Sequence, residues 1–588
     1  MSSRTVGLLD IAQRLPGLIA DLPTLAAGGI GLVQGLIGAD SLGQRFQHAA
    51  HRHPDRDFIR FEGESITYRA ANERVNRLAR VLSDRGVERG DVVGVLMHNR
   101  PDTLLIVLAI VKIGGTAGLL NHNQRGDVLE HSIGVLEAAL VVCGEESEEA
   151  LDSLPERPAN AVSFEELSTA ADELSGTIGD PEVCAKITAR ERAFLIFTSG
   201  TTGMPKASVM THGRWLKASS GLGNMAIRLH GRDVLYCCLP LYHNNALTVA
   251  LSSVLAGNAT LALGRKFSAT NFWEDAKRNG ATGFVYIGEL CRYLLKQPER
   301  PDDADNGIRL MAGNGLRPDI WDEFKQRFGI DRVVEFYGAS EANIAFVNVL
   351  NMDHTAGLCP LPHAVVEYDE EQGSPRRGKD GRLRRVESGE VGLLLGKVTA
   401  LAPYDGYTDS KQSESKLVRD AFKDGDCWFD TGDLVRQQGW FHVAFIDRLG
   451  DTFRWKGENV ATTEVEEAVR KLDTVGDAVV YGVEVPGADG KAGMAAVTLR
   501  DGQSFDGGAT ANQLYKDLPS YAVPLFVRVV EELEQTSTFK SMKVTLRKQG
   551  FENNEDSELY VLAGRGEGYV EFYEEYPDEV AAGRKPGK

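Results

Sequence analysis

The 588-residue chain reads as an α/β protein, and three observations lead there. From about residue 41 strand-like and helix-like stretches alternate, which is the pattern of largely parallel sheets covered by helices. The length exceeds what one hydrophobic core organises, so more than one is expected. After the short strand WFHVAFI, near residues 447–451, a fresh run of helices and strands begins that is long enough for a smaller α/β domain.

The individual elements follow from periodicity and punctuation. ITYRAANERVNRLARVLSDRG is a strand running into an amphipathic helix, and DVVGVLMHN is a buried strand. PDTLLIVLAIVKIGG is a helix begun by Pro101, since proline suits the first helical turn. AFLIF, just ahead of Thr198, is another apolar strand, and the polar tract near 366–388 reads as an exposed loop. Residues 1–40 form an apolar, glycine-rich segment. No charge falls between Asp21 and Asp40, so LPTLAAGGIGLVQGLIGA is long enough to span a bilayer. Pro23 and five glycines nevertheless make it a poor helix on propensity. The expectation is an interfacial or protein-packed segment with peripheral membrane contact, rather than a span.

Composition narrows the function. Hydrophobic and charged contents of 42% and 25% are those of an ordinary folded protein. A formal charge of −19 excludes a broad nucleic-acid surface, though a local basic patch still suffices for a phosphate. Seven cysteines without a CxxC pair suggest neither a disulfide framework nor a zinc site. With no secretory signal evident, a cytoplasmic protein is expected, associated at most with the inner face of the membrane. His48, His51 and His53 lack a recognised metal spacing, and Gly29-Ile30-Gly31 does not continue into a dinucleotide fingerprint.

The strongest motif is Thr198-Ser199-Gly200-Thr201-Thr202-Gly203-Met204-Pro205-Lys206 after the strand AFLIF. Glycines let backbone N–H groups approach an anion, the hydroxyls donate further hydrogen bonds, and Lys206 adds charge. It is not a Walker A loop. TSGTTGMPK closely resembles the signature loop of the adenylate-forming superfamily of acyl-CoA synthetases, luciferases and peptide-synthetase adenylation domains. The superfamily's other motifs follow in order. Tyr337-Gly338-Ala339-Ser340-Glu341 resembles YGxTE, which implies that Ser340 contacts the adenylate phosphate and that Glu341 holds Mg2+. Gly313-Asn314-Gly315 stands where the family lays a loop against adenine. Asp430-Thr431-Gly432-Asp433 resembles the TGD motif, with Asp433 on the ribose hydroxyls, a task suited to an acceptor-only carboxylate. Asp447-Arg448-Leu449-Gly450-Asp451 resembles the hinge, with Arg448 reaching ribose or phosphate.

The resemblance covers nearly all of the chain from about residue 41, and it can be narrowed. DRLGDTFRWKGENVATTEVE, beginning at Asp447, looks like the fatty acid transport protein and very-long-chain acyl-CoA synthetase branch. In the superfamily the glycine matching Gly457 lies along the pantetheine path, where a side chain would obstruct passage. Thr536-Ser537-Thr538-Phe539-Lys540 looks like the catalytic-lysine motif. Its proline and glycine are absent, which leaves Lys543 as the alternative to Lys540. Leu239-Pro240-Leu241-Tyr242-His243-Asn244 resembles the aromatic-histidine segment lining the acyl pocket. The resemblance thus implies a large multi-subdomain domain over 41–447 and a mobile α/β lid over 448–588. It implies an ATP-dependent long-chain or very-long-chain fatty acyl-CoA synthetase using ATP, Mg2+ and coenzyme A. The rival readings are a CoA ligase for another hydrophobic acid, and a membrane-associated fatty-acid transport or binding protein.

Overall fold

The computed structural model describes residues 5–581 apart from 20, 38–39, 199–204, 339–342, 370–373, 400–401, 405–413, 415, 450–452, 456–457, 487, 489, 534–542 and 553–556. The chain folds into two compact units. The larger comprises residues 6–360 and 399–415, and the smaller residues 1–5, 361–398 and 416–588.

The elements read from the sequence appear where their chemistry puts them. Thr67 caps the amphipathic helix Tyr68–Asp84 by accepting from the Ala70 N–H. Pro101 opens the helix Pro101–Lys112, every residue of which from Thr103 onward is buried. In the larger unit one sheet runs in the order Ala161–Ser163, Leu140–Cys143, Val92–Leu96, Thr116–Leu119, Arg192–Thr198, Lys206–Thr211. It is parallel except for its last pair. A second sheet of the same unit places Arg332–Tyr337, Leu310–Asn314, Gly283–Ile287, Val234–Cys237, Thr260–Leu263 and Asp57–Phe61 side by side and parallel. Parallel strands need crossover connections, and helices such as Pro318–Phe328 supply them.

In the smaller unit, His363–Val366, Val391–Lys397, Cys427–Gly439 and His442–Arg448 pair antiparallel. The strands Val475–Glu484, Lys491–Leu499, Phe526–Val529, Glu558–Gly564 and Gly568–Glu571 form a separate sheet with its own core.

Two expectations change. The polar tract near 366–388 carries paired strands, Tyr368–Asp369 with Ser374–Pro375, so it is not wholly loop. The glycine-rich amino terminus is helical at Leu8–Arg14, Pro16–Ile19 and Leu22–Ile37. Packing overrides propensity there. A side chain in place of Gly28 would collide with Met225, and one in place of Gly31 with Ser220. The two glycines therefore let the third helix lie directly on the π-helix Ser219–Ile227. Asp21 adds an ion pair at 2.9 Å to Arg228, which is only 5% exposed.

Candidate active site

In the larger unit the parallel strands Gly283–Ile287, Leu310–Asn314 and Arg332–Tyr337 stop side by side, at the strand ends where open α/β sheets bind ligands. Gly313 and Asn314 end the middle strand and Gly315 follows it; Tyr337 ends the third strand and Gly338 follows it. The backbones meet closely. A side chain at Gly313 would collide with the Tyr286 carbonyl, and one at Gly288 with the Gly315 carbonyl. Gly315 has φ +84°, a conformation that glycine adopts without a Cβ clash. The Asn314 side-chain oxygen accepts from Asn245 Nδ2 at 2.9 Å, which ties this loop to the helix that follows Tyr242 and His243.

Beneath the loop lies Glu335, 7% exposed. It accepts from the Gly315 N–H at 2.5 Å, from the Leu316 N–H at 3.4 Å and from the Tyr286 hydroxyl. Burial pushes its pKa up to about 8, with those hydrogen bonds opposing in part. The sequence reading misses Glu335. The available signal was an acid inside the otherwise apolar strand RVVEFY, directly ahead of Gly338.

Thr198 stands opposite Lys206 across antiparallel strands, so the signature run connects two sheet neighbours and Lys206 stands at the foot of its second strand. Ser199, Gly200, Thr201, Thr202 and Gly203 lie outside the described residues. His131 Nε2 lies 3.1 Å from the Pro205 carbonyl, close beside that strand.

Tyr242 and His243 follow the strand Val234–Cys237, their rings 4.5 Å apart. Asn123 donates to the Tyr242 hydroxyl at 3.3 Å. His122 meets the Tyr242 ring edge-on at 5.2 Å, and His98 packs on His122 at 3.9 Å. Burial, then the neighbouring His98, brings the pKa of His122 down to about 4, so it is neutral at ordinary pH. The sequence reading misses His98 and His122 too. Ring-bearing residues placed just after the apolar strands Val92–Leu96 and Thr116–Leu119 were the signal.

The smaller unit holds the remaining candidates. Asp433 and Arg448 are register partners on adjacent strands. The Asp433 side chain is 8% exposed; Arg448, 63% exposed, brings Nε to 3.6 Å from its carboxylate. The turn before Asp433 is built by its own side chains. Thr431 Oγ1 donates to the Leu394 carbonyl at 2.8 Å and accepts from the Asp433 N–H at 3.1 Å. Asp430 accepts from the Gly432 N–H at 2.8 Å. Asp447 accepts from the N–H and hydroxyl of Thr462 at 2.9 and 3.0 Å. Lys543 Nζ donates to Thr462 Oγ1 at 2.8 Å and pairs with Glu466 at 2.9 Å. Ser340, Glu341, Gly457 and Lys540 lie outside the described residues.

A parallel-stranded large unit with a glycine loop at its strand ends, followed by a small α/β unit, is the fold of the adenylate-forming enzymes. The chain belongs to the AMP-binding enzyme family: the family model matches residues 46–387, and the model of the AMP-binding enzyme C-terminal domain matches 464–540. It is 53% identical over 587 residues to the medium/long-chain-fatty-acid–CoA ligase FadD6 of Mycobacterium tuberculosis (strain ATCC 25618 / H37Rv), covering 99% of this chain and 98% of that one. It is 40% identical to the long-chain fatty acid transport protein 6 of Mus musculus, over 91% and 90% of the two chains. Among solved structures, ATP-bound MatB from Rhodopseudomonas palustris superposes with a TM-score of 0.71 at 23% identity, covering 86% of this chain and 98% of that one.

Proposed function

We propose that this chain is an ATP-dependent fatty acyl-CoA synthetase for long-chain or very-long-chain acids, converting acid, ATP and CoA into acyl-CoA, AMP and pyrophosphate. The observation that carries the reading is the 53% identity, over almost the whole of both chains, to a ligase named for medium- and long-chain fatty acids. In the first half-reaction a carboxylate oxygen attacks the α-phosphorus and pyrophosphate leaves. In the second the CoA sulfur attacks the acyl carbon, AMP leaves and the thiol proton goes to solvent. Both steps rest on placement and charge neutralisation more than on covalent help from the protein.

The residue roles follow the motifs. The 198–206 run with Lys206 steadies the β- and γ-phosphates, and Ser340 meets the α-phosphate. Gly313, Asn314, Gly315, Tyr337 and Gly338 seat the base, Asp433 holds the ribose hydroxyls and Arg448 reaches ribose or phosphate. Mg2+ would be held by Glu341, where it neutralises phosphate charge. Lys540 bridges carboxylate and α-phosphate. The capture of Lys543 by Glu466 and Thr462 supports Lys540 in that role. A hinge at 447–451 then lets a lid over 448–588 withdraw Lys540 and present Gly457 to pantetheine.

The amino-terminal helices provide a peripheral membrane contact at the cytoplasmic face. Leu8, Leu9, Leu15, Ile19, Leu22 and Ile30 are each at least half exposed, a surface suited to lying in a lipid interface. No single helix among the described residues is long and apolar enough to cross a membrane, and the pair Leu8–Ile19 and Leu22–Leu32 is bent by 98°. The test of the substrate is CoA-ester formation across acids from short to very long chain. Turnover should be greatest with long chains; preference for an aromatic or sterol-type acid would overturn it.

A further inference from the structure

We propose that Glu335 is the positioning residue of the nucleotide site: its carboxyl clamps the 313–315 loop onto the neighbouring strand by taking the Gly315 N–H on one oxygen and the Tyr286 hydroxyl on the other. This rests on the reading of that loop as the adenine seat.

The geometry leaves the clamp little freedom. Glu335 lies on Arg332–Tyr337, Tyr286 on Gly283–Ile287 and Gly315 just beyond Leu310–Asn314. One side chain therefore joins three adjacent parallel strands at their carboxyl ends. Gly315 and Gly288 meet too tightly to admit a side chain at Gly288, so the loop has one seat, and Glu335 pins it there. Tyr286 is fully buried, so its hydroxyl depends on a protein acceptor. A carboxyl only 7% exposed is costly to keep unless it is hydrogen-bonded, and hydrophobic packing alone would be served by leucine. The raised pKa reports the same burial. The backbone N–H of Gly315 is held by a side chain from a neighbouring strand, so the loop's position depends on that one side chain.

Glu335→Gln keeps the shape and one acceptor oxygen, and Tyr286→Phe removes the second donor without changing the core. The expected result is a rise in KM for ATP of about 3- to 10-fold in each, with kcat within about twofold and KM for the fatty acid unchanged. The double variant should lose less than the product of the two, because both act through one contact. Gly315→Ala serves as the control for the loop itself, since alanine resists φ +84°. A higher KM for ATP in Gly315→Ala but not in Glu335→Gln or Tyr286→Phe would overturn the clamp and leave the adenine seat standing. An unchanged KM for ATP in Gly315→Ala, folded by thermal melting, would overturn the adenine seat as well. Equal rises in KM for ATP, acid and CoA would mark Glu335 as merely structural.

Discussion

The two units hold their candidate site residues by opposite means. In the larger unit the groups around the 313–315 loop are backbone: strand-end glycines, of which Gly313 and Gly288 lie so close to neighbouring carbonyls that a Cβ would collide, over a buried carboxyl. In the smaller unit they are side chains held by other side chains, with Arg448 63% exposed and 3.6 Å from Asp433. Lys543 is engaged by Thr462 and Glu466. Backbone fixed by a sheet cannot change partners without breaking the sheet, whereas an exposed side chain such as Arg448 exchanges partners cheaply. The first arrangement suits a nucleotide seat that stays the same through both half-reactions. The second, from Arg448 onward, suits groups that serve one half-reaction and then leave.

The largest expected effects break that comparison most directly. Lys206→Ala, Glu341→Ala and Lys540→Ala should each lower acyl-adenylate formation on the order of 10²–10³-fold, the range for one preorganised electrostatic contact. Lys540→Ala should leave thioester formation from a supplied acyl-adenylate nearly normal. Gly457→Leu should do the reverse, by blocking pantetheine. Equal loss of both activities in Lys540→Ala and Gly457→Leu would erase the division between a constant seat and an alternating lid.

The buried carboxyl of the larger unit predicts a pH effect on stability. The folded pKa of Glu335, about 8, lies above its ordinary 4.5, so the folded state binds the extra proton between those values. Its stabilising contribution is full below about 4.5 and is lost as pH rises to about 8, on the order of a few kcal/mol. Denaturant titration at pH 5 and pH 8 should show the wild type losing more stability than Glu335→Gln, with other groups cancelling. The same fall in both proteins would place Glu335 in water.

Lys543→Ala sharpens the contrast from the other side. It strips a partner from Glu466, which is 5% exposed and retains Arg470 at 3.5 Å. The cost should be about 1–3 kcal/mol, with adenylation within a few-fold of normal. Loss comparable to that of Lys540→Ala would show that the wrong lysine carries the chemistry. Smallest is the change at the amino terminus. Leu8→Asp with Leu9→Asp should reduce sedimentation with lipid vesicles on the order of tenfold and spare activity on a soluble acid. Substitution is preferable to deletion because Asp21 faces Arg228, and removing it would leave a buried charge unpaired. Undiminished sedimentation would mean that these helices face protein, not lipid.

What the sequence disclosed and what it hid follow one rule. Local signals were legible: the Thr67 cap, Pro101 at a helix start and the alternation that builds both sheets of the larger unit. The TGD and hinge motifs were readable in the sequence only by resemblance; that Asp433 and Arg448 stand opposite each other on adjacent strands is seen only in the fold. Features made by distant contacts were not. The helix Leu22–Ile37 forms because Gly28 and Gly31 meet the π-helix Ser219–Ile227, which nothing in its own residues reveals. Glu335 gains its role from Tyr286 and Gly315, 49 and 20 residues away. His98 and His122 likewise join Tyr242 only once separate strand ends converge.

The most direct test of the account is pyrophosphate exchange with the full chain. Labelled pyrophosphate should enter ATP when a long-chain fatty acid and Mg2+ are present and CoA is absent, because acyl-adenylate formation is reversible and precedes the thiol. Exchange should stop without the acid and fall by the factor given above in Lys540→Ala. Acyl-CoA formed without any acid-dependent exchange, or exchange indifferent to the acid, would contradict the two-step mechanism at its centre.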